Sequence, residues 1–121
     1  MSDKVILIVE DSPTDLHIAE NLCTANGYKV LSTDEGEKAI EIASENKPDL
    51  ILLDVILPKQ NGFEICRQLK NNEATKDIKV IMVTSKSQPS DKFWGMKQGA
   101  DEYVFKPYEE VSLLTAIEQH I

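Results

Sequence analysis

Five short apolar runs, each followed by a segment with apolar residues at helical spacing, constrain this chain more than any other feature. The runs cover residues 4–9, 28–33, 49–53, 78–83 and 101–105. Short, nearly unbroken apolar runs suit strands buried on both faces, the habit of parallel sheets. Between them, residues 14–26 carry Leu16, Ala19, Leu22 and Cys23 at helical spacing, and residues 36–46 place Ala39, Ile42 and Ala43 on one face. Gly62 opens a helix bearing Ile65, Cys66 and Leu69, and a short helix near 91–97 bears Phe93, Trp94 and Met96. The last helix, over about 109–120, has a stripe of Leu113, Leu114, Ile117 and Ile121. Asn26-Gly27, Pro48 and Gly99 supply stops. Short connections and right-handed crossovers turn five such units into an α/β doubly wound parallel sheet with helices on both faces. The 121 residues suffice for one core, and no repeat or long linker divides them. Residues 1–121 are therefore expected to form a single domain with no output domain.

Open α/β sheets bind ligands at the carboxyl ends of their strands. Asp54 ends the run Leu50-Ile51-Leu52-Leu53, and Val55-Ile56-Leu57-Pro58 follows it. A carboxylate so placed is costly to bury unless it has a role. Glu10 and Asp11 close the first run, Thr84 follows the fourth, and Lys106 follows Tyr103-Val104-Phe105. In a parallel sheet, three carboxylates and one ammonium then meet at one edge. Clustered carboxylates invite a hard divalent cation such as Mg2+. An aspartyl carboxylate can accept a phosphoryl group as an acyl phosphate, which makes Asp54 the natural nucleophile. Stabilising the transferring group is mostly positioning plus cationic charge, supplied by the metal and Lys106, with the Thr84 hydroxyl as a donor. Singly, these residues have ordinary readings. Asp11-Ser12-Pro13-Thr14 can be only a helix N-cap, Thr84 a strand end and Lys106 a solvated lysine. The joint order and spacing carry the assignment.

The net charge of −8 opposes direct binding to nucleic acid or an anionic membrane. Cys23 and Cys66 form no CxxC pair and no zinc spacing, and Cys66 falls in a helical packing pattern. No secretory leader pattern is present, and no apolar segment approaches the roughly 20 residues of a membrane span. A cytoplasmic location with reduced thiols follows.

With these residues in place, the chain resembles the receiver domains of two-component response regulators, in particular stand-alone CheY-like members. The matching motifs are Val-Glu-Asp-Ser at 9–12, Leu-Leu-Asp at 52–54, Leu-Pro at 57–58, Asn-Gly-Phe at 61–63, Val-Thr-Ser at 83–85, Gly-Ala-Asp at 99–101 and Tyr-Val-Phe-Lys-Pro at 103–107. Ser-Pro-Thr at 12–14 and Asp-Lys-Phe-Trp-Gly at 91–95 are similar to receivers that control type IV pilus twitching, the PilH-like group. The resemblance implies a flavodoxin-like strand order of 2-1-3-4-5. It implies Asp54 as phosphoacceptor, with Mg2+ held by Asp11, by Asp54, by the Ile56 backbone carbonyl and, largely through water, by Glu10. Lys106 would pair with the acyl phosphate, Thr84 would be the switch hydroxyl, and Tyr103 the coupled aromatic that moves from exposed to buried. The Lys106-Pro107 peptide would be cis.

A sensor histidine kinase (CheA-like) would supply the phosphoryl group, and the chain would catalyse only its own phosphorylation and dephosphorylation. The fourth helix, fifth strand and fifth helix would form the face read by a target protein, with Trp94, Lys97, Tyr103 and Tyr108 on or near it. A monomer is expected, with dimerisation through the same face as the alternative. Glu10 replaces the Asp of many members. Ile56, two residues past Asp54, should shield the acyl phosphate from water and slow its loss; Lys86 lies two past Thr84. A haloacid-dehalogenase-type phosphatase would need an acid at position 56, and no G-x-G-x-x-G follows the first run to support a dinucleotide fold. A phosphate-independent scaffold, or a phosphate sink or relay, is the remaining alternative.

Overall fold

The structure is a computed structural model of the chain and describes residues 3–121. Five strands, β1 (Val5–Val9), β2 (Lys29–Thr33), β3 (Leu50–Leu53), β4 (Lys79–Thr84) and β5 (Glu102–Phe105), alternate with five helices. The helices are α1 (Pro13–Ala25), α2 (Gly36–Asn46), α3 (Gly62–Lys70), α4 (Pro89–Lys97) and α5 (Glu110–His120). All strand pairs are parallel, in the order β2-β1-β3-β4-β5. The doubly wound sheet and its expected order are thus observed. Element bounds lie within two residues of the sequence expectation. The largest difference is α4, which begins at Pro89, because proline is pre-shaped for the first helical position and Asp91 Oδ2 accepts the Gln88 N–H at 3.2 Å.

Alternation along the strands divides the core in two. Leu7, Val9, Ile51, Leu53, Val80 and Met82 point to one face and meet Ala39, Ala43, Ile65 and Leu69. Ile6, Ile8, Leu50, Leu52, Ile81 and Val83 point to the other and meet Leu22, Cys23, Leu113 and Ile117. Each fully buried aliphatic side chain contributes about 1.5–3 kcal/mol before entropy is counted. This double burial explains why the strands read as continuous apolar runs. In α5, Ala116 joins Leu113 and Ile117 in the buried stripe, while Leu114 is half-buried. Cys23 and Cys66 are both buried and free, and burial pushes their thiols up to about 12, so both act as packing. No helix among the described residues is long and apolar enough to cross a membrane.

The register brings the carboxyl ends level. Val9 pairs with Leu53, and Thr84 with Phe105, so Glu10, Asp54 and Lys106 each stand one residue past a paired end. Backbone bonds carry the pairing past those ends: Asp54 N–H donates to the Val9 carbonyl at 3.0 Å and Lys106 N–H to the Thr84 carbonyl at 2.9 Å. Gly62 closes the loop after β3. A Cβ there would lie 2.3 Å from the Asp54 carbonyl oxygen, so a side chain at position 62 would push α3 off the site.

Candidate active site

Asp54 and Glu10 are buried side by side at the sheet edge, and the ammonium of Lys106 lies between them. Lys106 Nζ donates to Asp54 Oδ2 at 2.8 Å and to Glu10 Oε1. The other Asp54 oxygen, Oδ1, accepts the Ile56 N–H at 2.9 Å, and Glu10 Oε2 accepts the Ser12 N–H at 3.2 Å. Each buried carboxylate is thereby held in one rotamer by a backbone donor and by one shared cation. Above them opens a cavity of about 680 Å³ whose lining includes Asp11, Asp15, Ile56, Ser85 and Tyr108.

The electrostatics follow from two buried acids sharing one base. Burial, reinforced by the neighbouring Asp54 charge, pushes the Glu10 carboxyl up to about 7 against the pull of Lys106. Burial would lower Lys106, but its hydrogen bonds to Asp54, Glu10 and Asp15 outweigh that and hold it well above the usual lysine range. The ammonium is a permanent cation at any physiological pH.

The sequence-derived set is only partly assembled. Asp54, Glu10 and Lys106 converge as expected. Asp11 lies exposed on the cavity rim, and among the described residues no three His, Cys, Asp or Glu side chains close into a metal-binding group. Both buried carboxylates turn instead to the Lys106 ammonium. The donors are nonetheless all hard oxygens around a point where a cation already sits, which is the chemistry Mg2+ prefers. Thr84 is fully buried, and its hydroxyl accepts the Lys86 N–H at 3.3 Å, facing the β4–α4 loop. Ser85, the next residue, lines the cavity instead. Tyr103 is buried, and its hydroxyl donates to the Lys86 carbonyl at 2.8 Å, so Thr84 and Tyr103 both engage residue 86. Burial pushes the Tyr103 phenol up to about 12, so it stays a donor.

Residues 6–118 match the response regulator receiver domain family. The chain belongs to that family. It is 42% identical over 112 residues to the protein PilH of Pseudomonas aeruginosa, covering 93% of each chain. It spans only about half, or less, of the length of several other curated relatives it matches. A putative response regulator from Chloroflexus aurantiacus superposes with a TM-score of 0.93 at 30% identity, over 98% of this chain and 97% of that one. The receiver domain of a Pseudomonas aeruginosa sensor histidine kinase, solved with a magnesium ion in its active-site cleft, superposes with a TM-score of 0.90 at 25% identity, covering 98% of both chains.

Two further features of this receiver stand out. The Lys106-Pro107 peptide is cis, as the resemblance implied. Asp15, outside the sequence-derived set, is the third carboxylate on Lys106, at 2.9 Å from Nζ. Its signal was present in Ser12-x-x-Asp15, where Ser12 caps α1 by accepting the Asp15 N–H at 3.3 Å. Of the expected readout residues, Trp94 is 51% exposed on α4, beside Phe93, over which the Lys97 ammonium lies at 5.6 Å. Tyr108 instead packs against the α1 and α5 layer and lines the cavity.

Proposed function

We propose that this receiver accepts a phosphoryl group on Asp54 from the phosphohistidine of a sensor kinase and uses it to switch a protein-binding face. The observation that carries the reading is a buried Asp54 fixed by the Ile56 N–H and Lys106 beneath an open cavity. An Asp54 oxygen forms the new bond to phosphorus while the P–N bond breaks and its electron pair stays on the imidazole. Asp11, Asp54 and the Ile56 carbonyl would hold Mg2+, with Glu10 behind them acting largely through water. The metal would neutralise phosphoryl charge and the mutual repulsion of the carboxylates. Lys106 stays beside Asp54 and donates to a phosphoryl oxygen.

The new dianion would then draw the Thr84 O–H inward as a donor, at the expense of the Lys86 N–H bond that the same oxygen now accepts. Because Tyr103 also binds residue 86, a shift of Thr84 is felt at α4 and β5. Phosphorylation would act by changing the populations of two such arrangements rather than by creating one. Exposed Phe93, Trp94, Met96 and Phe105 make the α4–β5–α5 face the surface a target protein would read. The likeness to PilH makes pilus-related motility the process in which to look for that target, with a CheA-like kinase as donor, in the cytoplasm. The matched receiver unit itself performs no reaction but its own phosphorylation and dephosphorylation.

Intact mass after incubation with Mg2+ and acetyl phosphate tests this directly. A single phosphoryl adduct is expected on the wild type and none on Asp54→Asn. Absence of an adduct from both, together with no binding of beryllium fluoride, would instead favour a phosphate-independent scaffold.

A further inference from the structure

An ammonium group has three protons to donate. All three positions on Lys106 are matched by carboxylates: Glu10, Asp54 and Asp15. The three acceptors are unequal. The Glu10 and Asp54 side chains are 7% and 6% exposed, while that of Asp15 is 39% exposed. Asp15 can therefore be resolvated at little cost when it lets go, and the other two cannot.

Its placement is specific. Asp15 is the third residue of α1 after the Ser12 cap. An acid there ordinarily reaches back to accept the N–H of the cap residue. Here the Ser12 N–H is already given to Glu10 Oε2, which leaves the Asp15 carboxylate free to turn to Lys106. Glu10, Ser12, Asp15 and Lys106 thus form one ring of contacts in which the cap of α1 aims an acid at the site.

Resting on the phosphoacceptor reading above, we infer that Asp15 is a positioning residue, the displaceable third partner of Lys106 that an incoming phosphoryl oxygen must replace. In the resting state it keeps the ammonium saturated and aimed. During transfer it competes with the phosphoryl group, both for the donor and by its own negative charge. Asp15 therefore sets how readily the domain takes up and keeps phosphate, without touching phosphorus.

The test is beryllium fluoride affinity in Mg2+, read by fluorine NMR on the full chain. Asp15→Asn keeps the shape and helix position but weakens the claim on Lys106. It should tighten binding about three- to fivefold, the reach of a partly exposed ion pair. Asp15→Glu should return the affinity toward wild type. Glu110→Gln removes a charge from the same cavity lining and should shift affinity less than twofold. In metal-free protein, proton exchange of the Lys106 ammonium should quicken in Asp15→Asn. Unchanged or weaker binding by Asp15→Asn, equal tightening by Glu110→Gln, or unaltered ammonium exchange would each overturn the inference. Loss of all binding in the wild type would bring down the phosphoacceptor reading with it, whereas wild-type binding without the Asp15 effect would sink only this step.

Discussion

At the amino edge of the sheet, Lys70 Nζ donates to Asp101 Oδ2 and to the Ile78 carbonyl, each at 2.9 Å, and the same Asp101 oxygen accepts the Val80 N–H at 2.8 Å. At the carboxyl edge, Lys106 faces three carboxylates. Both lysines are well buried, and both tie together segments distant in sequence. They differ in charge balance. Around Lys70 one ammonium pairs with one carboxylate, and each takes one further backbone bond, to the Ile78 carbonyl and from the Val80 N–H. Burial works to raise the Asp101 carboxyl, yet the Val80 N–H and Lys70 hold it below its usual value. Around Lys106 the anions are in excess, and the Glu10 carboxyl is pushed up to about 7. A balanced pair locks strands together, whereas an unbalanced one keeps a standing demand for positive charge. That demand is what a divalent metal ion can meet.

The comparison predicts opposite outcomes when an acid is removed from each edge. The largest effect belongs to the balanced edge. Asp101→Ala strips Lys70 of its partner and leaves the Val80 N–H without an acceptor, and should cost about 2–3 kcal/mol. Urea unfolding would measure it, while beryllium fluoride affinity should stay near wild type. A stable Asp101→Ala with a damaged site would invert the assignment of the two edges.

The next effect is pH-dependent and belongs to the unbalanced edge. With a chelator present, Glu10 titrates at about 7 when folded, against a reference value of 4.5. Between these values the folded state binds more protons than the unfolded state, so stability falls as pH rises. The decline should be on the order of 2 kcal/mol from pH about 5 to about 7.5. Glu10→Gln should flatten it. An equal slope in Glu10→Gln would place the strain on another group.

The smallest effect concerns water. Ile56 is 51% exposed on the cavity rim, two residues past Asp54. Ile56→Asn should speed loss of the phosphoryl group about fivefold, equivalent to about 1 kcal/mol in the barrier. Timed decay of the phosphoprotein reads this, and a wild-type lifetime of only seconds would remove the shielding role given to Ile56.

Much of this was legible along the chain. Strands buried on both faces appear as unbroken apolar runs, and Asp54, Glu10 and Lys106 were placed at one edge by their position after those runs. Asp15 was not found, because Ser12-x-x-Asp15 has a complete local explanation as a helix start. Asp11 was expected inside the cluster and lies on its rim. Nothing local distinguishes which of two adjacent acids points inward; β1 ends so that Glu10 continues the buried side and Asp11 the exposed one. Thr84 was correctly placed at a strand end, yet its hydroxyl faces the loop, a choice made by the Lys86 N–H.

The order of apolar runs and the polar residue after each one determined the sheet, its edge and three residues of the site. Those are properties of period and position, which a linear sequence carries in full. Only the folded chain decided how charge is shared there. Lys106 and Asp15 are 91 residues apart, and their contact exists because α1 and the end of β5 are packed against the same edge. Coulomb interactions act through distance and burial, and neither quantity exists until the chain has closed on itself.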